Sequence, residues 1–381
     1  MAKLGMPTVV VKFIEAGIEA IQRSQRGIVA LILEDTKQVI DKLATKTNSH
    51  EVLPNPFLVY TVDDIPEELS DKNKDYILKA LKGYNKPPLK IVVYMMQQGG
   101  DKTGADRFQE PLKAMLTERF DYLAIPTIEN AQLEYVATWV KTARENKFKK
   151  IKVVLPGSNA DYEGVINFGN TKVFTADREY KPAEYTARIA GLVAGTNMTQ
   201  SATYAPLAEV IDCDRHTQDE MDAMVNEGKF FIWYDGEKFK MSRAMNSLVT
   251  TSQGKLEGYQ TIKIVDIMDM IYDDIRKTAQ DSYIGKYTND YENKCLLISA
   301  ILGYFKQLEN ERLLQKDYST CEIDCEAVRT YQLSHGLFTK EELAKMSDDE
   351  VKKLDTKKIV FLKAKVRPLD AMEDIQLPIN I

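Results

Sequence analysis

The seven residues Gly27-Ile28-Val29-Ala30-Leu31-Ile32-Leu33 contain no polar side chain. Side chains alternate across a strand, so a run that is apolar at odd and even positions alike is a strand covered on both faces. Comparable runs recur at 56–62, 89–95, 122–126 and 151–155. Between them lie segments with helical spacing. Residues 71–83 carry Tyr76, Ile77, Ala80 and Leu81 on one side, with Gly83 near the C-cap; 105–119 is amphipathic; 131–146 carries Leu133, Val136, Val140 and Ala143. Strands alternating with helices predict an α/β fold with a central mixed sheet flanked by helices.

Beyond Pro182 the pattern changes. Residues 183–194 read as a helix of small residues suited to close packing. Residues 229–241 read as a β-hairpin turning at Asp235-Gly236. A strand at 261–265, an acidic helix at 266–281, a long helix at 292–315, a charged stretch at 339–358 and a strand at 359–366 follow. They predict a smaller α+β C-terminal domain. Both ends read as extended β arms: Val9, Val11 and Phe13 share one strand face, and Ile375, Leu377, Ile379 and Ile381 share another. A lone strand with an apolar face is not stable in water. Each arm is therefore completed either by the chain's own core or by a neighbouring copy.

At 381 residues the chain has room for two or three domains. A net charge of −6 gives a nucleic-acid partner no electrostatic footprint. No run approaches the length of a membrane span, and no secretory leader is expected. Four cysteines are too few for a disulfide scaffold, which fits a chain assembled in a cytoplasm. Cys321-x3-Cys325 lacks a second close Cys/His pair, because His50, His216 and His335 are scattered. Those two cysteines read as structural positions on a helix.

Other motifs fail on chemistry. Gly99 to Gly104 follows a strand, but Ala105-Asp106 stands where a phosphate loop needs Lys and Ser/Thr. Asp266, Asp269, Asp273 and Asp274 suggest a divalent cation, yet Ile267, Met270, Ile271 and Ile275 interleave with them as a packed helix face. On that reading Asp266 suits the positive end of its helix. No catalytic, cofactor-binding or metal-ligating residue is called, and an enzyme is not expected.

Several segments together carry one resemblance. Arg188-Ile189-Ala190-Gly191-Leu192-Val193-Ala194-Gly195-Thr196, then Gln200-Ser201-Ala202-Thr203-Tyr204, resembles the central signature of contractile phage tail sheath proteins. Arg243-Ala244-Met245-Asn246-Ser247-Leu248 is similar to their "arginine, small residue, asparagine-serine-leucine" segment. Residues 264–289 look like the start of the sheath C-terminal domain, and 363–374 like the C-terminal arm. The short form is similar to sheaths of clostridial-type phages and R-type phage-tail-like bacteriocins.

The resemblance implies a structural subunit that polymerises with itself as stacked hexameric rings around an inner tail tube. Baseplate and tail terminator proteins are its further partners. Contraction would drive the tube through a target cell envelope. Assembly would take place in the bacterial host cytoplasm, and the subunit would become part of a virion tail or a released tail-like particle. The expected division is an N-terminal arm at 1–20, a central α/β domain at 21–250, an inner C-terminal domain at 251–358, and a strand and arm at 359–381. In the family each arm adds a strand to a neighbour's C-terminal sheet, which favours exchange for the termini. The resemblance also places the C-terminal domain innermost, where Lys306, Arg312, Lys316 and Arg329, read on helices, are candidate tube contacts. The rival class is a cytoplasmic α/β enzyme or ligand-binding protein whose termini close its own sheet. Size distinguishes the two, since only a sheath forms long tubes.

Overall fold

Along β1 (Ile28–Asp35) the apolar run divides by parity. Val29, Leu31 and Leu33 enter one core, and Ile28, Ala30 and Ile32 enter another. The computed structural model describes residues 20–45, 52–99 and 103–380. The chain divides into two compact units, one of Arg23–Asp273 with Pro368–Ile381, the other containing Asp274–Arg367.

In the first unit β1 is followed by α1 (Lys37–Leu43), β2 (Phe57–Val59), α2 (Asp71–Leu81), β3 (Lys90–Gln97) and α3 (Gln109–Met115). Then come β4 (Tyr122–Ala124), α4 (Leu133–Glu145), β5 (Lys152–Pro156), β6 (Val165–Phe168), β7 (Val173–Thr175) and β8 (Glu179–Tyr180). The succession continues with α5 (Pro182–Ala194), β9 (Val210–Cys213), α6 (Gln218–Asn226), β10 (Lys229–Phe230), β11 (Ile232–Tyr234), β12 (Phe239–Met241) and, as far as Asp273, α7 (Ile262–Thr278). Seven strands make one sheet in the order β10-β6-β5-β4-β1-β3-β2. All its pairings are parallel except β2 with β3, so the sheet is mixed.

One face of the sheet packs on α2 and α5, the other on α3 and α4. The small residues of α5 have a steric purpose within the subunit. A Cβ built on Gly191 would lie 2.0 Å from the backbone oxygen of Ala80, so α2 and α5 touch at the main chain.

Two local expectations are overturned. Residues 261–265 are not a strand: α7 begins at Ile262. Five residues are too few to separate a period of 2 from one of 3.6, and Ile262, Val265 and Asp269 share a buried helical face. The hairpin is also shorter than expected. Lys229 and Phe230 pair with β6 in the large sheet, so only β11 and β12 form the hairpin.

In the second unit the succession is α8 (Tyr291–Asn310), β13 (Thr320–Ile323), α9 (Cys325–Ser334), α10 (Lys340–Lys345), α11 (Asp348–Val351) and β14 (Leu362–Lys365). Its small core joins Ile323, Cys325, Val328 and Val351 to Ile298, Leu354 and Phe361. Cys321 is buried on β13 and Cys325 opens α9, so the two do not share a helix. No helix among the described residues is long and apolar enough to cross a membrane.

Candidate functional site

The C-terminal segment leaves β14 through Arg367-Pro368. Proline lacks a backbone donor and cannot continue a sheet ladder. Residues 369–380 adopt no regular hydrogen-bonded structure. Ile375, Leu377 and Ile379 are 83%, 74% and 77% exposed. Isolated exposed apolar residues need no explanation, but three at alternate positions of one extended segment form an unpartnered strand face. Val9, Val11, Phe13 and Ile381 lie outside the described residues.

The complementary feature is the sheet of β13 and β14. These strands are antiparallel, with Cys321 opposite Ala364 and Ile323 opposite Leu362. Among the described residues neither has another strand beside it. Two strands alone are marginal in water, and each outer edge presents unpaired N–H and C=O groups. Ile359 and Val360, just before β14, are 47% and 41% exposed.

The candidate cations divide into two pairs. Lys306 on α8 is bound to Glu309 (3.2 Å) and Asp317 (2.5 Å). Arg329 on α9 is bound to Asp348 (2.8 Å) and Glu326 (3.2 Å). Arg312 and Lys316 are exposed and make no ion pair among the described residues. They are not helical, because α8 ends at Asn310 and Arg312 has a φ of +59°.

The acidic cluster of α7 is neither a solvated face nor a cation site. Asp269 is buried and grips Arg144 of α4 with both oxygens (2.9 Å each), while Lys152 of β5 lies 2.8 Å away. Lys152 also meets Asp266 at 2.9 Å, and the Tyr122 hydroxyl donates to Asp266. Asp266 therefore serves as an ion-pair partner rather than a helix-end charge. Arg26 bridges Asp121 and Asp273, both at 2.9 Å. Burial alone would raise the Asp269 pKa, but Lys152 and Arg144 outweigh it and hold the carboxyl well below its usual range. Burial likewise opposes the charge on Lys152, and Asp266 and Asp269 restore it. These carboxylates are neutralised by fixed cations, and no group of residues among those described is arranged to hold a metal.

Strand order reverses on either side of β1, and in open α/β sheets ligands bind at such a switch point. Here the carboxyl end of β1 presents two acids. Glu34 accepts from the Thr127 hydroxyl at 2.6 Å and pairs with Arg107. Asp35 accepts from the Ser70 and Thr36 backbone N–H groups and the Asn73 amide. Donors that would cradle a phosphate are spent on these carboxylates. The loop residues 100–102, part of the weighed phosphate loop, lie outside the described residues.

The residues quoted for the sheath resemblance are internal fasteners. Arg188 donates from Nε to Glu209 (2.5 Å) and from a terminal nitrogen to the Gly83 carbonyl (2.8 Å). Lys82 adds a contact to Glu209 at 3.0 Å. Burial disfavours the charge on Glu209, yet Arg188 and Lys82 pull its pKa down to about 2. The buried Asn246 donates to the Tyr259 carbonyl, and Ser247 donates to that of Tyr162. Sequence reading missed Glu209, Lys152 and Arg144 as partners, because they are distant in sequence and ion pairing leaves no periodic signal.

The model of the phage tail sheath protein central domain matches residues 101–247, and that of the phage tail sheath C-terminal domain matches residues 255–381. The tail sheath protein of Clostridium phage phiCD119 is 32% identical over 382 residues, covering 99% of both chains. This chain belongs to the phage tail sheath family. It is thus a structural sheath protein of the kind found in contractile injection systems. The sheath fold is shared at low identity. The sheath tail protein of Desulfitobacterium hafniense superposes with a TM-score of 0.67 at 18% identity, covering 83% of this chain and 94% of that one. The contracted helical sheath of the anti-feeding prophage gives 0.68 at 11% identity, covering 99% of both.

Proposed function

We propose that this sheath subunit polymerises as stacked hexameric rings around an inner tail tube and contracts to drive that tube through a target cell envelope. It performs no catalysis and needs no cofactor. It assembles in the host cytoplasm between a baseplate and a tail terminator. Residues 21–250 serve as the sheath body and 251–358 as the inner domain; the gap between the two matched family models, at 248–254, supports that division, although the compact units part later, after Asp273.

The observation that carries the reading is the pairing of needs within one chain. An extended segment exposes Ile375, Leu377 and Ile379, and the sheet of β13 with β14 has no third strand on either edge among the described residues. A C-terminal arm that adds a strand to another copy's β13–β14 sheet satisfies both, with residues 1–20 supplying the second arm. Each buried apolar arm residue contributes roughly 1.5–3 kcal/mol. Each new backbone hydrogen bond contributes a net ~1 kcal/mol. Such a link survives large rigid-body motion, because the ladder travels with the sheet it joins while the chain around Pro368 bends.

Of the candidate tube contacts, Arg312 and Lys316 carry charge that is free to be shared, whereas Lys306 and Arg329 are engaged internally. Exposed charges contribute ~0–1 kcal/mol each, which suits a grip that must release, and repetition along many rings supplies its strength. The test is deletion of residues 375–381. The body should fold with unchanged melting while tube formation is lost. Tubes at parental yield from the truncated chain overturn the arm reading.

A further inference from the structure

Three segments distant in sequence meet at one point. The carboxylate of Glu373 accepts from the Thr203 hydroxyl at 2.6 Å and the Ser201 hydroxyl at 3.1 Å. The second Glu373 oxygen faces Arg243 Nε at 3.5 Å, and the same guanidinium reaches Asp374 at 2.5 Å. The hydroxyls that hold Glu373 are also held by the main chain of the body. Ser201 accepts from the Thr203 backbone N–H at 3.1 Å, and Thr203 Oγ1 accepts from the Ala244 backbone N–H at 2.9 Å. The Ser201 and Thr203 hydroxyl oxygens also stand 2.9 Å apart, and both reach the same Glu373 oxygen, so the two hydroxyls and that carboxylate oxygen form one closed cluster. Lys263 is buried as well, and Asp370 and Glu373 act electrostatically on it. The Glu373 side chain is 13% exposed, and two residues later Ile375 is 83% exposed. The tail passes from buried to exposed at this contact.

We propose that Ser201, Thr203 and Arg243 form a carboxylate socket that captures Glu373 of the same chain and fixes the root of the C-terminal arm. The ligand is an acidic side chain held by two hydroxyl donors and a guanidinium, and the bonds to its charged form are stronger than neutral ones. The consequence is geometric. With the root pinned, the free arm is Ile375 to Ile381, about 23 Å when extended at ~3.3 Å per residue. Released back to Pro368, twice as many residues span about 46 Å. A longer tether lowers the effective concentration of the arm strand at its target edge. The socket itself rests on geometry within one chain; its bearing on assembly rests on the sheath reading.

A glutamyl endopeptidase tests it, because cleavage after Glu373 requires that side chain to leave the socket for the protease. The full-length subunit, dilute and unassembled, is digested and the released octapeptide quantified by mass spectrometry. Cleavage after Glu237, exposed in the β11–β12 turn, serves as the internal reference. The parent should be cut after Glu373 at least tenfold more slowly than after Glu237. Arg243→Gln should bring the Glu373 rate up to that reference while leaving the Glu237 rate and the melting temperature unchanged; Thr203→Val should raise the Glu373 rate likewise, with a lowered melting temperature because it also strands the buried Ala244 N–H. Equal parental rates at the two sites, or variants that leave the Glu373 rate unaltered, overturn the socket. Protection that grows with protein concentration also overturns it, since the captured Glu373 would then come from another copy. A socket that protects in a chain never forming tubes contradicts the sheath reading alone; tubes from a chain with unprotected Glu373 contradict the socket alone.

Discussion

Asp269→Asn removes one charge from the ion network inside the central unit and keeps the side-chain shape. In the parent, Asp269 holds Arg144 with two bonds and Lys152 with one, and all three side chains are less than 5% exposed. Lys152 retains Asp266, and Arg144 retains the Ile151 carbonyl at 3.1 Å, but the guanidinium loses the carboxylate it grips. Breaking a buried pair by removing one partner costs about 3–5 kcal/mol, because the remaining charge stays desolvated. The retained amide oxygen and the Ile151 carbonyl place the expected loss near the lower figure, about 3 kcal/mol. For a unit of this size that corresponds to a fall of about 6–12 °C in Tm. Urea unfolding followed by tryptophan fluorescence reads this unit directly, since Trp139 and Trp233 both lie in it. Replacing the pair together, as Arg144→Met with Asp269→Leu, should recover most of the loss, because no buried charge is then stranded. The pH dependence has a definite sign. The folded pKa lies below the unfolded one, so the contribution is complete above the usual carboxylate range and disappears only as pH falls through the depressed value. Parent and Asn variant should therefore converge only in strong acid. A loss below about 1 kcal/mol, or a double variant as damaged as the single one, refutes the argument that this cluster is a matched buried network.

Other outcomes follow from the same geometry. Glu209→Gln should cost about 3 kcal/mol near neutrality, the equivalent of a pKa depressed from 4.5 to about 2. That difference should shrink as pH falls from ~4.5 toward ~2 in urea titrations, because the native carboxylate is protonated only there. Gly191→Val should force α5 off α2 and destabilise the central unit by at least about 3 kcal/mol, whereas Gly303→Ala on α8, with open space at its Cβ position, should be neutral or stabilising by thermal melting. Arg312→Glu should lower the yield and salt tolerance of tube-bound extended particles while contracted sheath still assembles, as counted in micrographs. Arg329→Glu, which also breaks the Asp348 pair, should in addition lower subunit stability.

Legibility in the sequence followed the physics of each element. The run at 27–33 announced a doubly covered strand because burial on both faces erases polar residues at both parities, and β1 divides between two cores accordingly. The exposed alternation at Ile375, Leu377 and Ile379 was readable for the opposite reason, since a lone apolar face has no local partner. The segment 261–265 misled because so short a stretch fits both periods; in the helix Ile262 and Val265 share a buried face with Asp269, which pairs with β5 and α4. The acidic run of α7 was legible as part of an amphipathic helix but its ion-pair partners were not, because Lys152 and Arg144 stand more than a hundred residues away in sequence. The socket at Glu373 was invisible for the same reason: serine, threonine and arginine acquire meaning there only when folding brings 201–203, 243 and 373 together.

The measurement closest to the central claim is a helical reconstruction of the purified polymer by electron cryo-microscopy at a resolution that traces β-strands. The account predicts rings of six in which residues 375–381 of one subunit run as an added strand along an open edge of the β13–β14 sheet of another. A polymer whose C-terminal segment folds back on its own subunit, or whose β13–β14 sheets remain two-stranded, would contradict it.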